Sequence, residues 1–530
     1  MTDDGSRTVA ECLVACLEAE GVEHVFGVPG EELEDLLFAI RDSSLTFVPV
    51  RHEQGAAFIA DVHGRLTGEA GVCLGTLGPG ATNLLTGVAD AQLDKSPLVA
   101  ITGQGGRERL HKESHQKLDI VGTFEPLVKW NAQISDRTAV AESVRKAFKV
   151  AEYEKPGATH LELPEDVAAE TTDAEPLPIR ESVARPAPDD ETLAAAVSLL
   201  ESADQPLVLA GNGAVRADAA SALATFVDRT GVPVVSTYMA KGALPDRDER
   251  SLMTLDSGPD GNAGGAVDAA DTVLAVGYDI AEHDPAGWNP DGEKQVVHLD
   301  SEPAEVYTHY NPDVELVCDP TAGLERLAAA VDRSWDPWCV DAHERVFEHA
   351  TTRPSADDPV TVANTLPLLR ESMADADVLV SDVGSHKMAI AQRFPVFEPG
   401  RCIISNGLAS MGIAVPGGLA ADLAVDANVV VGTGDGGFLM NAAELETAKR
   451  LDCSFTTIVW RDDDYGLISE KQADHTGEHY GTGIGNPDLV AFAESFGLDA
   501  TRAASLDEFE DALSAVDDDA LSLIEVPLDG

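Results

Sequence analysis

The stretch VVVGTGDGGF, residues 429–438, decides how the fold is interpreted. Three Val residues followed by a glycine-rich run predict a buried strand that ends in a tight loop. An acidic side chain, Asp435, stands within that run, where it would repel the phosphates of a bound nucleotide unless a cation lay between them. We therefore interpret the run as a strand end at which Asp435 coordinates a divalent metal ion and the Gly residues admit phosphate oxygens.

A second carboxylate follows the next predicted strand. Residues 438–450, FLMNAAELETAKR, have the periodicity of an amphipathic helix, and FTTIVW after them predicts a strand that runs into RDDDYG. Asp462 lies 462 − 435 = 27 residues after Asp435, and a right-handed crossover of that length puts both strand ends at one edge of the sheet. Two carboxylates with open positions for phosphate and water suit Mg²⁺.

The composition excludes some classes of partner. The chain has 530 residues, of which 36 are basic and 93 acidic, and its formal net charge is −57. Such a chain repels DNA, RNA and anionic membranes, so we expect no nucleic acid and no membrane as partner. The acidity is spread along the whole chain, which is typical of a surface in concentrated salt, where screening weakens self-repulsion. We therefore expect a halophilic protein.

The N-terminal sequence, the apolar runs and the cysteines all predict a cytoplasmic location. The N-terminal stretch MTDDGSRTVAECL is acidic and lacks the apolar segment of a secretory signal. No apolar run approaches the ~20 residues of a membrane span. The seven Cys residues are scattered without a CxxC pattern, as expected for small core residues in a reducing compartment.

Short Val-, Ile- and Leu-rich runs alternate with helical patterns along the chain, which predicts an α/β fold with parallel sheets. Two Pro-containing polar segments, residues 171–190 and 347–359, interrupt the alternation and suit linkers. We therefore predict three doubly wound parallel-sheet domains at residues 1–170, 191–345 and 355–530. Open parallel sheets bind ligands at the carboxyl ends of their strands, and the predicted strands end in Gly or polar loops.

Three further stretches are similar to one known family. They are SDVGSH at 381–386, ISNGLASMGIAVPGG at 404–418 and GDGGFLMNAAELETA at 434–448. Together they resemble thiamin-diphosphate-dependent acetolactate synthase large subunits, in particular the catabolic branch, here in an acidic version of haloarchaeal type. The resemblance extends over essentially the whole chain, from GVEHVFGVPG to AESFG. It implies an N-terminal pyrimidine-binding domain, a central domain and a C-terminal diphosphate-binding domain.

The resemblance also implies the cofactors thiamin diphosphate and Mg²⁺. The metal ligands that it carries over are the side chains of Asp435 and Asp462 and the backbone carbonyl of Asp464. Met411 corresponds to the bulky apolar residue that forces the cofactor into a V-shaped conformation. The further cofactor-binding positions in the matching motifs are Gly384, Ser385, His386, Gly434, Gly436, Gly437, Tyr465 and Gly466.

A carboxylate away from the metal site is also needed, because the cofactor's aminopyrimidine is activated by an acid–base partner. Glu53 in the stretch RHEQ follows a predicted strand at 45–50 and opens a predicted helix. From the residues alone, this position also suits a Glu that is simply favoured by a helix N-terminus. In the family resembled, RHEQ holds the activating glutamate, and SHQKLD places His115 and Gln116 among the active-site polar residues.

The implied activity is decarboxylation of pyruvate and transfer of the remaining two-carbon unit to a second 2-oxo acid, which gives 2-acetolactate. The resemblance implies a homodimer or homotetramer with active sites at the subunit interface. The stretch VGYDIAEHDPAGWNP at 276–290 differs from the arginine-containing segment of FAD-binding members, so we expect no FAD. The alternatives are another thiamin-diphosphate-dependent 2-oxo acid decarboxylase, carboligase or oxidase, a non-catalytic homologue and a nicotinamide dehydrogenase.

Several positions depart from the pattern of the family. Glu31 and Glu32 stand where catabolic members usually have Ala-Lys, so this loop offers no cation for the pyruvate carboxylate. Arg461 replaces a small or amide residue before the metal ligand, and Ala389 stands where the family often has Trp. The acceptor 2-oxo acid, a catabolic role or one in branched-chain amino acid biosynthesis, and a regulatory small subunit stay open.

Overall fold

The structure, a computed structural model, describes residues 7–179, 183 and 185–529. Residues 1–6, which begin the N-terminal stretch examined for a secretory signal, lie outside the described residues. Residues 180–182 and 184 of the first predicted linker also lie outside them. In the part of the chain that is described, no helix combines the length and the apolar composition that a membrane crossing requires. All seven Cys side chains are buried as free thiols, which confirms them as core residues.

The N-terminal third forms a parallel sheet with helices between its strands. The strands are β1 (Arg7–Thr8), β2 (His24–Gly27), β3 (Thr46–Pro49), β4 (Gly71–Gly75), β5 (Leu98–Gln104), β6 (Trp130–Gln133), β7 (Ala158–Pro164) and β8 (Thr171–Thr172). The helices are α1 (Val9–Ala19), α2 (Glu34–Arg41), α3 (Glu53–Thr67), α4 (Pro79–Leu93), α5 (Ile120–Phe124), α6 (Val140–Glu152) and α7 (Glu165–Ala168). The sheet has the order β3-β2-β4-β5-β7-β6, and β1 pairs with β8 in an antiparallel ribbon.

The central third forms a second parallel sheet. Its strands are β9 (Pro206–Ala210), β10 (Val234–Ser236), β11 (Ser251–Thr254), β12 (Thr272–Val276), β13 (Gln295–Asp300) and β14 (Val314–Val317). Its helices are α8 (Asp190–Ser202), α9 (Asn212–Arg216), α10 (Ala220–Thr230), α11 (Ala266–Ala269), α12 (Pro285–Trp288), α13 (Pro320–Ala330) and α14 (Val340–Thr351). The strand order is β11-β10-β9-β12-β13-β14, so the order reverses between β9 and β12.

The C-terminal third forms the third parallel sheet. Its strands are β15 (Val378–Ser381), β16 (Cys402–Ile404), β17 (Val429–Gly434), β18 (Phe455–Arg461), β19 (Asp499–Arg502) and β20 (Ser522–Pro527). Its helices are α15 (Val362–Ser372), α16 (Ser385–Arg393), α17 (Ala414–Ala424), α18 (Asp435–Asn441), α19 (Glu444–Arg450), α20 (Gly466–Thr476), α21 (Leu489–Ser495) and α22 (Leu506–Ser514). The order β16-β15-β17-β18-β20-β19 reverses between β15 and β17, which is where such sheets bind ligands.

The prediction of an α/β fold with three parallel sheets is confirmed. The inner strands β5, β7 and β12 are buried along their whole length, as expected when helices cover both faces of a parallel sheet. Burying each Val, Leu or Ile side chain contributes about 1.5–3 kcal/mol, which explains why the apolar runs mark the strands. Single turns of 3₁₀ helix lie at Glu31–Leu33, Arg107–Arg109, Glu125–Leu127, Tyr238–Ala240 and Asn262–Gly265.

The chain divides into two compact units. The first contains the N-terminal sheet together with residues 408–425 and 439–453, which carry α17 and α19. The second contains the central and C-terminal sheets with the intervening residues up to 407, residues 426–438 and residues from 454 onward. Pieces of the C-terminal third therefore pack with the N-terminal sheet.

The predicted helix at 438–450 is wrong as a single helix. α18 already begins at Asp435, directly after β17, and the chain turns before α19 begins at Glu444. An acidic residue is favoured at a helix N-terminus, which accounts for the early start. At the other end, the Asn441 amide donates to the backbone carbonyl of Gly412 at 2.8 Å, a contact outside the helix.

The predicted linkers are partly wrong. The segment at 347–359 begins as helix, since α14 continues to Thr351. Its buried residues Ala342, Val346 and Ala350 recur every four positions, so the apolar face of the helix extends into the polar stretch. The segment at 171–190 begins with β8.

Candidate active site

Two carboxylates lie side by side at the carboxyl edge of the C-terminal sheet. β17 and β18 are parallel neighbours with Gly434 opposite Trp460, so Asp435 and Asp462 follow the two strands at one level. Their carboxyl groups interact directly, and the Asp435 side chain is buried. Burial and, after it, the charge of Asp462 raise the pKa of Asp435 to about 6. A divalent cation would relieve this repulsion.

One amide side chain and the backbone hold these carboxylates in place. The N–H of Asp463 donates to Asp435 Oδ2 at 3.0 Å. The Asn486 side chain donates from Nδ2 to the same oxygen at 2.5 Å and to Asp463 Oδ1 at 2.7 Å. The N–H of Asp464 donates to Asp462 Oδ1 at 3.1 Å. Asn486 is a site residue that the sequence pattern missed, because it lies in a loop without a strand-end signal.

The side chain of Asp464 is engaged elsewhere. The Ser469 hydroxyl donates to Asp464 Oδ2, and the Asp464 backbone pairs with Gly483 in an isolated antiparallel bridge. Within the described residues, no three side chains of His, Cys, Asp or Glu are arranged to hold a metal ion. A metal at this edge therefore has two carboxylate side chains available, and further ligands must come from the backbone, water or a bound molecule.

Glycine residues allow the loops after β17 and β18 to pack closely. A Cβ atom on Gly436 would lie 2.8 Å from the ring of Tyr465, and one on Gly466 would lie 2.7 Å from Asp462 Oδ2. Separations below about 3 Å are too close for carbon atoms in packed proteins. Only Gly therefore fits at these two positions without displacing Tyr465 or the Asp462 carboxylate.

The loop after β15 brings Ser385 and His386 to the same edge. Ser385 begins α16, and its Oγ lies 3.4 Å from where a Cβ on Gly466 would be. His386 is buried and stacks on Trp460 with 6.0 Å between ring centroids. Burial lowers the pKa of His386 to about 4, so the imidazole is neutral at physiological pH. Its Nε2 is buried and has no hydrogen-bond partner within the described residues, which marks a position for a polar group of a ligand.

Three more of the predicted glycines pack around this loop. Cβ atoms on Gly384 and Gly434 would lie 2.9 Å and 3.1 Å from the nearest atoms of the His386 ring. A Cβ on Gly437 would instead lie 2.8 Å from Asp382 Oδ2. Asp382 is buried and adjoins the predicted glycine positions, although the sequence pattern did not single it out.

Glu53 occupies the predicted helix start on the N-terminal sheet. It is the first residue of α3 and is 7% exposed. His52 caps this helix, since its Nδ1 accepts a hydrogen bond from the N–H of Gln54 at 3.1 Å. The Asn83 side chain donates from Nδ2 to Glu53 Oε2 at 3.0 Å. A Cβ on Gly80 would lie 3.3 Å from Glu53 Oε1.

A second buried carboxylate, Glu444, holds the turn that precedes Glu53. It accepts hydrogen bonds from the N–H groups of Arg51 at 3.0 Å and His52 at 3.1 Å, and from the Thr447 hydroxyl at 2.6 Å. Burial raises the pKa of Glu444, and these donors oppose the shift. The sequence pattern gave no signal for Glu444, because a charged residue within a predicted amphipathic helix usually faces solvent.

The contact between Glu444 and α3 leaves no room at Gly55. A Cβ there would lie 2.6 Å from Glu444 Oε1, an atom that the hydrogen bonds above hold in place. We expect Gly55→Ala to destabilise the protein by about 1–3 kcal/mol, the usual cost of overpacking.

Gly287 in α12 provides the matched control for Gly55→Ala, because a Cβ at Gly287 meets no atom within 4 Å. Gly287→Ala should change the unfolding free energy by no more than about 0.5 kcal/mol. Denaturant unfolding of both variants measures the difference. A Gly55→Ala midpoint equal to that of the wild type would contradict the contact.

The remaining predicted residues of the first compact unit lie in loops. The backbone carbonyl of Gln116 lies 2.6 Å from where a Cβ on Gly78 would be, at the turn before α4. The side chains of His115 and Gln116 are exposed, and Met411 is half-buried. Glu53, His115, Gln116 and Met411 thus belong to one compact unit. The predicted positions in the other unit are Gly384, Ser385, His386, Gly434, Asp435, Gly436, Gly437, Asp462, Asp464, Tyr465 and Gly466.

Two departures from the family pattern acquire partners in the structure. Glu32 accepts a hydrogen bond from the Thr76 hydroxyl at 2.9 Å, and its other carboxylate oxygen lies 3.9 Å from a guanidinium nitrogen of Arg109. A cation therefore stands beside Glu32, although the loop sequence itself contains none. Arg461 donates from Nε to Asp463 Oδ1 at 2.9 Å, next to the carboxylate pair.

Three models of one family match the chain. The description "Thiamine pyrophosphate enzyme, N-terminal TPP binding domain" matches residues 7–123, the central domain of the same family matches 193–327, and its C-terminal TPP binding domain matches 382–526. Thiamine pyrophosphate and thiamin diphosphate are the same molecule. Each matched segment falls on one of the three sheets: the central one covers β9 to β14, the N-terminal one ends before β6, and the C-terminal one begins after β15.

Named relatives are similar over nearly their whole length. The "Acetolactate synthase" of Bacillus subtilis (strain 168) is 34% identical over 98% of this chain and 93% of its own. The "Probable acetolactate synthase large subunit" of Methanocaldococcus jannaschii is 32% identical over 95% and 89%. The "Acetolactate synthase, catabolic" of Raoultella terrigena is 32% identical over 98% and 95%. The chain therefore belongs to the acetolactate synthase family of thiamine pyrophosphate enzymes.

Proposed function

We propose that this protein is an acetolactate synthase, which decarboxylates pyruvate and joins the remaining two-carbon unit to a second 2-oxo acid. With pyruvate as the acceptor the product is 2-acetolactate. The observation that carries the proposal is the pair of interacting carboxylates, Asp435 and Asp462, at adjacent strand ends of the C-terminal sheet. Relatives named as acetolactate synthases, matched over nearly their whole length, support the choice of reaction.

The residues of the site fit both Mg²⁺ and thiamin diphosphate. Carboxylate oxygens are the ligands that Mg²⁺ takes in proteins, and the hydroxyl of Ser385 at the start of α16 offers a donor to a phosphate group. We assign the metal to the side chains of Asp435 and Asp462 and the backbone carbonyl of Asp464. The positions assigned to the cofactor are Gly384, Ser385, His386, Met411, Gly434, Gly436, Gly437, Tyr465 and Gly466.

When bound, thiamin diphosphate supplies a nucleophilic carbon for the keto group of the substrate and a sink for the electrons that decarboxylation leaves behind. Glu53 would hold a proton at N1′ of the pyrimidine ring and exchange it during turnover. Such a positioned acid–base group contributes about 10²–10⁴-fold to the rate. His115 and Gln116 would offer polar groups to the substrate.

Product analysis tests the proposed reaction. The purified protein is incubated with pyruvate, thiamin diphosphate and Mg²⁺ in concentrated KCl, and acetolactate is measured as acetoin after acid treatment. We expect acetolactate as the main product, and added 2-oxobutyrate reports the acceptor preference. Acetaldehyde as the main product would assign a decarboxylase instead, and acetyl phosphate would assign an oxidase.

We also propose that the enzyme belongs to the catabolic, FAD-independent branch. In the central sheet, a dinucleotide would bind where the strand order reverses, between β9 and β12. The buried carboxylate of Glu282 lies there and accepts hydrogen bonds from the N–H groups of Asn212 at 3.0 Å and Asp279 at 3.2 Å and from the Thr237 hydroxyl at 2.5 Å. This carboxylate takes the donors that a phosphate group would need and would repel that group.

The expected result is therefore an activity that does not depend on flavin. Turnover of pyruvate should be the same with and without added FAD, and the denatured protein should release no flavin absorbance. Fluorescence titration with FAD, with FMN as the control for flavin binding without adenosine, checks the binding directly. An increase in rate on addition of FAD would contradict the proposal.

The arrangement of the whole enzyme is also a proposal. We propose domains at residues 1–170, 191–345 and 355–530 and a homodimer or homotetramer with active sites at the subunit interface. The net charge of −57 supports a halophilic, cytoplasmic enzyme. Light scattering in concentrated KCl measures the assembly, and a fully active monomer would contradict it.

A further inference from the structure

The helices α3 and α4 pack side by side in one register. Contacts occur at three levels along the pair, and the residue from α4 is always about 30 positions after its partner on α3. The contacting pairs are Glu53 with Asn83, Ala57 with Gly87, and Asp61 with Asp90. The helices therefore run parallel, and their N-terminal ends carry Glu53 and Asn83.

The middle contact brings the helices close together. A Cβ on Gly87 would lie 2.5 Å from the Cβ of Ala57, so no larger residue fits at this level. Small residues at such a crossing allow the two backbones to approach, which brings the short side chain of Asn83 within reach of Glu53.

A buried ion cluster fixes the register at the C-terminal ends of the two helices. One nitrogen of Arg65, Nη2, lies 2.8 Å from Asp61, 2.9 Å from Asp90 and 2.8 Å from Asp94. Burial, followed by the charges of Asp61 and Asp94, raises the pKa of Asp90 well above its usual range. Asp90 and Asp61 also share a side-chain hydrogen bond. Removing one member of a buried cluster leaves uncompensated charge, so the register is strongly specified.

The register decides whether Asn83 can reach Glu53. A slip of one residue moves a helix by about 1.5 Å along its axis, which is enough to break the hydrogen bond between Asn83 Nδ2 and Glu53 Oε2 of 3.0 Å. The bond occupies only one oxygen of the carboxylate. The other oxygen, Oε1, lies next to Gly80, where a side chain would crowd it.

We propose that Asn83 is a positioning residue for Glu53 in the reaction proposed above. Its amide holds Oε2, so that the carboxyl group keeps one rotamer and presents Oε1 to the pyrimidine ring. The amide is neutral, and it therefore orients the carboxylate without adding a charge that would bind Glu53 as an ion pair. The inference rests on the proposed role of Glu53.

Steady-state kinetics of Asn83→Ala test the proposal. We expect kcat to fall by about 10–100-fold, the usual result of misplacing a reacting group by about 1 Å, whereas the Kd for thiamin diphosphate stays close to that of the wild type. The KM for pyruvate should also change little, because Asn83 acts through Glu53. Thr86→Ala, an exposed position one turn further along α4, is the matched control and should behave as the wild type.

The isosteric variant Asn83→Asp separates positioning from a merely structural role, and it decides the question if Asn83→Ala does not fold. A carboxylate accepts hydrogen bonds and does not donate them, and its charge favours the protonated form of Glu53. We expect a similar loss of kcat and a pH profile of kcat that shifts to higher pH. Wild-type kcat and an unshifted profile in Asn83→Asp would overturn the proposal.

The role of Glu53 is tested separately in the same series. If Glu53→Gln is inactive and both Asn83 variants turn over at the wild-type rate, the positioning role of Asn83 is overturned while the proposed function stands. If Glu53→Gln itself keeps wild-type turnover, the proposed role of Glu53 is wrong, and the positioning role of Asn83 falls with it.

Discussion

Glu53→Gln is expected to lower kcat for acetolactate formation by about 10²–10⁴-fold while thiamin diphosphate still binds. Gln has the shape of Glu, and its carbonyl oxygen can accept the hydrogen bond from Asn83. The turn before α3, which Glu444 holds, should therefore stay in place. The amide cannot hold an exchangeable proton at the pyrimidine ring, so only the chemical step should suffer. Initial rates and calorimetric titration of the cofactor measure the two effects.

Glu34→Gln provides the control for this change. Glu34 also stands in the first turn of a helix, α2, but it is exposed, so its loss should leave both rate and cofactor binding unchanged. Wild-type turnover in Glu53→Gln would contradict the acid–base role. Loss of cofactor binding in the same variant would show that Glu53 serves the structure of the site instead.

The second large effect is expected for Asp435→Asn. Loss of a metal clamp that is worth several kcal/mol should lower the Mg²⁺-dependent activity by about 100-fold or more. The metal-free protein should at the same time become more stable, because the change removes one of two carboxylates that repel each other. Pyruvate turnover over a range of Mg²⁺ concentrations and thermal unfolding in EDTA measure the two opposite effects.

The gain in stability from Asp435→Asn should depend on pH. The folded protein raises the pKa of Asp435 to about 6, so the wild type keeps its stability at low pH and loses some of it as the pH rises through that value. The advantage of the variant should accordingly vanish below pH ~4, grow between pH ~4 and pH ~6 and stay constant above pH ~6. If Asp435→Asn differed from the wild type in stability by the same amount at every pH, the account would be contradicted.

Asp463→Asn is the matched control for Asp435→Asn. Asp463 is the exposed neighbour in the same acidic run, and its Oδ1 accepts from Arg461 and Asn486, bonds that the carbonyl oxygen of an Asn can also accept. Its replacement should keep the Mg²⁺-dependent activity. If Asp435→Asn and Asp463→Asn behaved alike, the carboxylate at 435 would have no special relation to the metal.

The strand ends that carry the site could be predicted from the sequence because parallel crossovers are regular. Asp435 and Asp462 follow buried apolar runs that are one crossover apart, and the handedness of such connections places both at one edge. Glu53 follows a strand in the same way and begins α3 as predicted. These predictions depend only on local pattern and topology.

The spacing of the glycines alone does not distinguish a metal site from a dinucleotide-binding loop. Gly432, Gly434 and Gly437 also satisfy the G-x-G-x-x-G spacing of a dinucleotide-binding loop. The distinction comes from Asp435, whose carboxyl group interacts with that of Asp462. A pattern of small residues shows where another group can approach the backbone closely. The charged side chain indicates which kind of group that is.

The residues that support the site could not be predicted, because their contacts bring together distant parts of the chain. Asn486 reaches Asp435 from a loop 51 residues away, and Glu444 reaches Arg51 across 393 residues. Asn83 meets Glu53 only because two helices share a register. Neither periodicity nor local propensity contains information about such contacts, so these residues are identified only in the structure.

Binding of thiamin diphosphate with and without Mg²⁺ tests the central claim most directly. If Asp435 and Asp462 form the metal site, their charges should prevent the diphosphate from binding unless a divalent cation lies between them. Calorimetric titration should therefore show tight binding in Mg²⁺ and none, or binding at least about 100-fold weaker, in EDTA. Equally tight binding in EDTA would contradict the account, because the two carboxylates would then have no part in holding the cofactor.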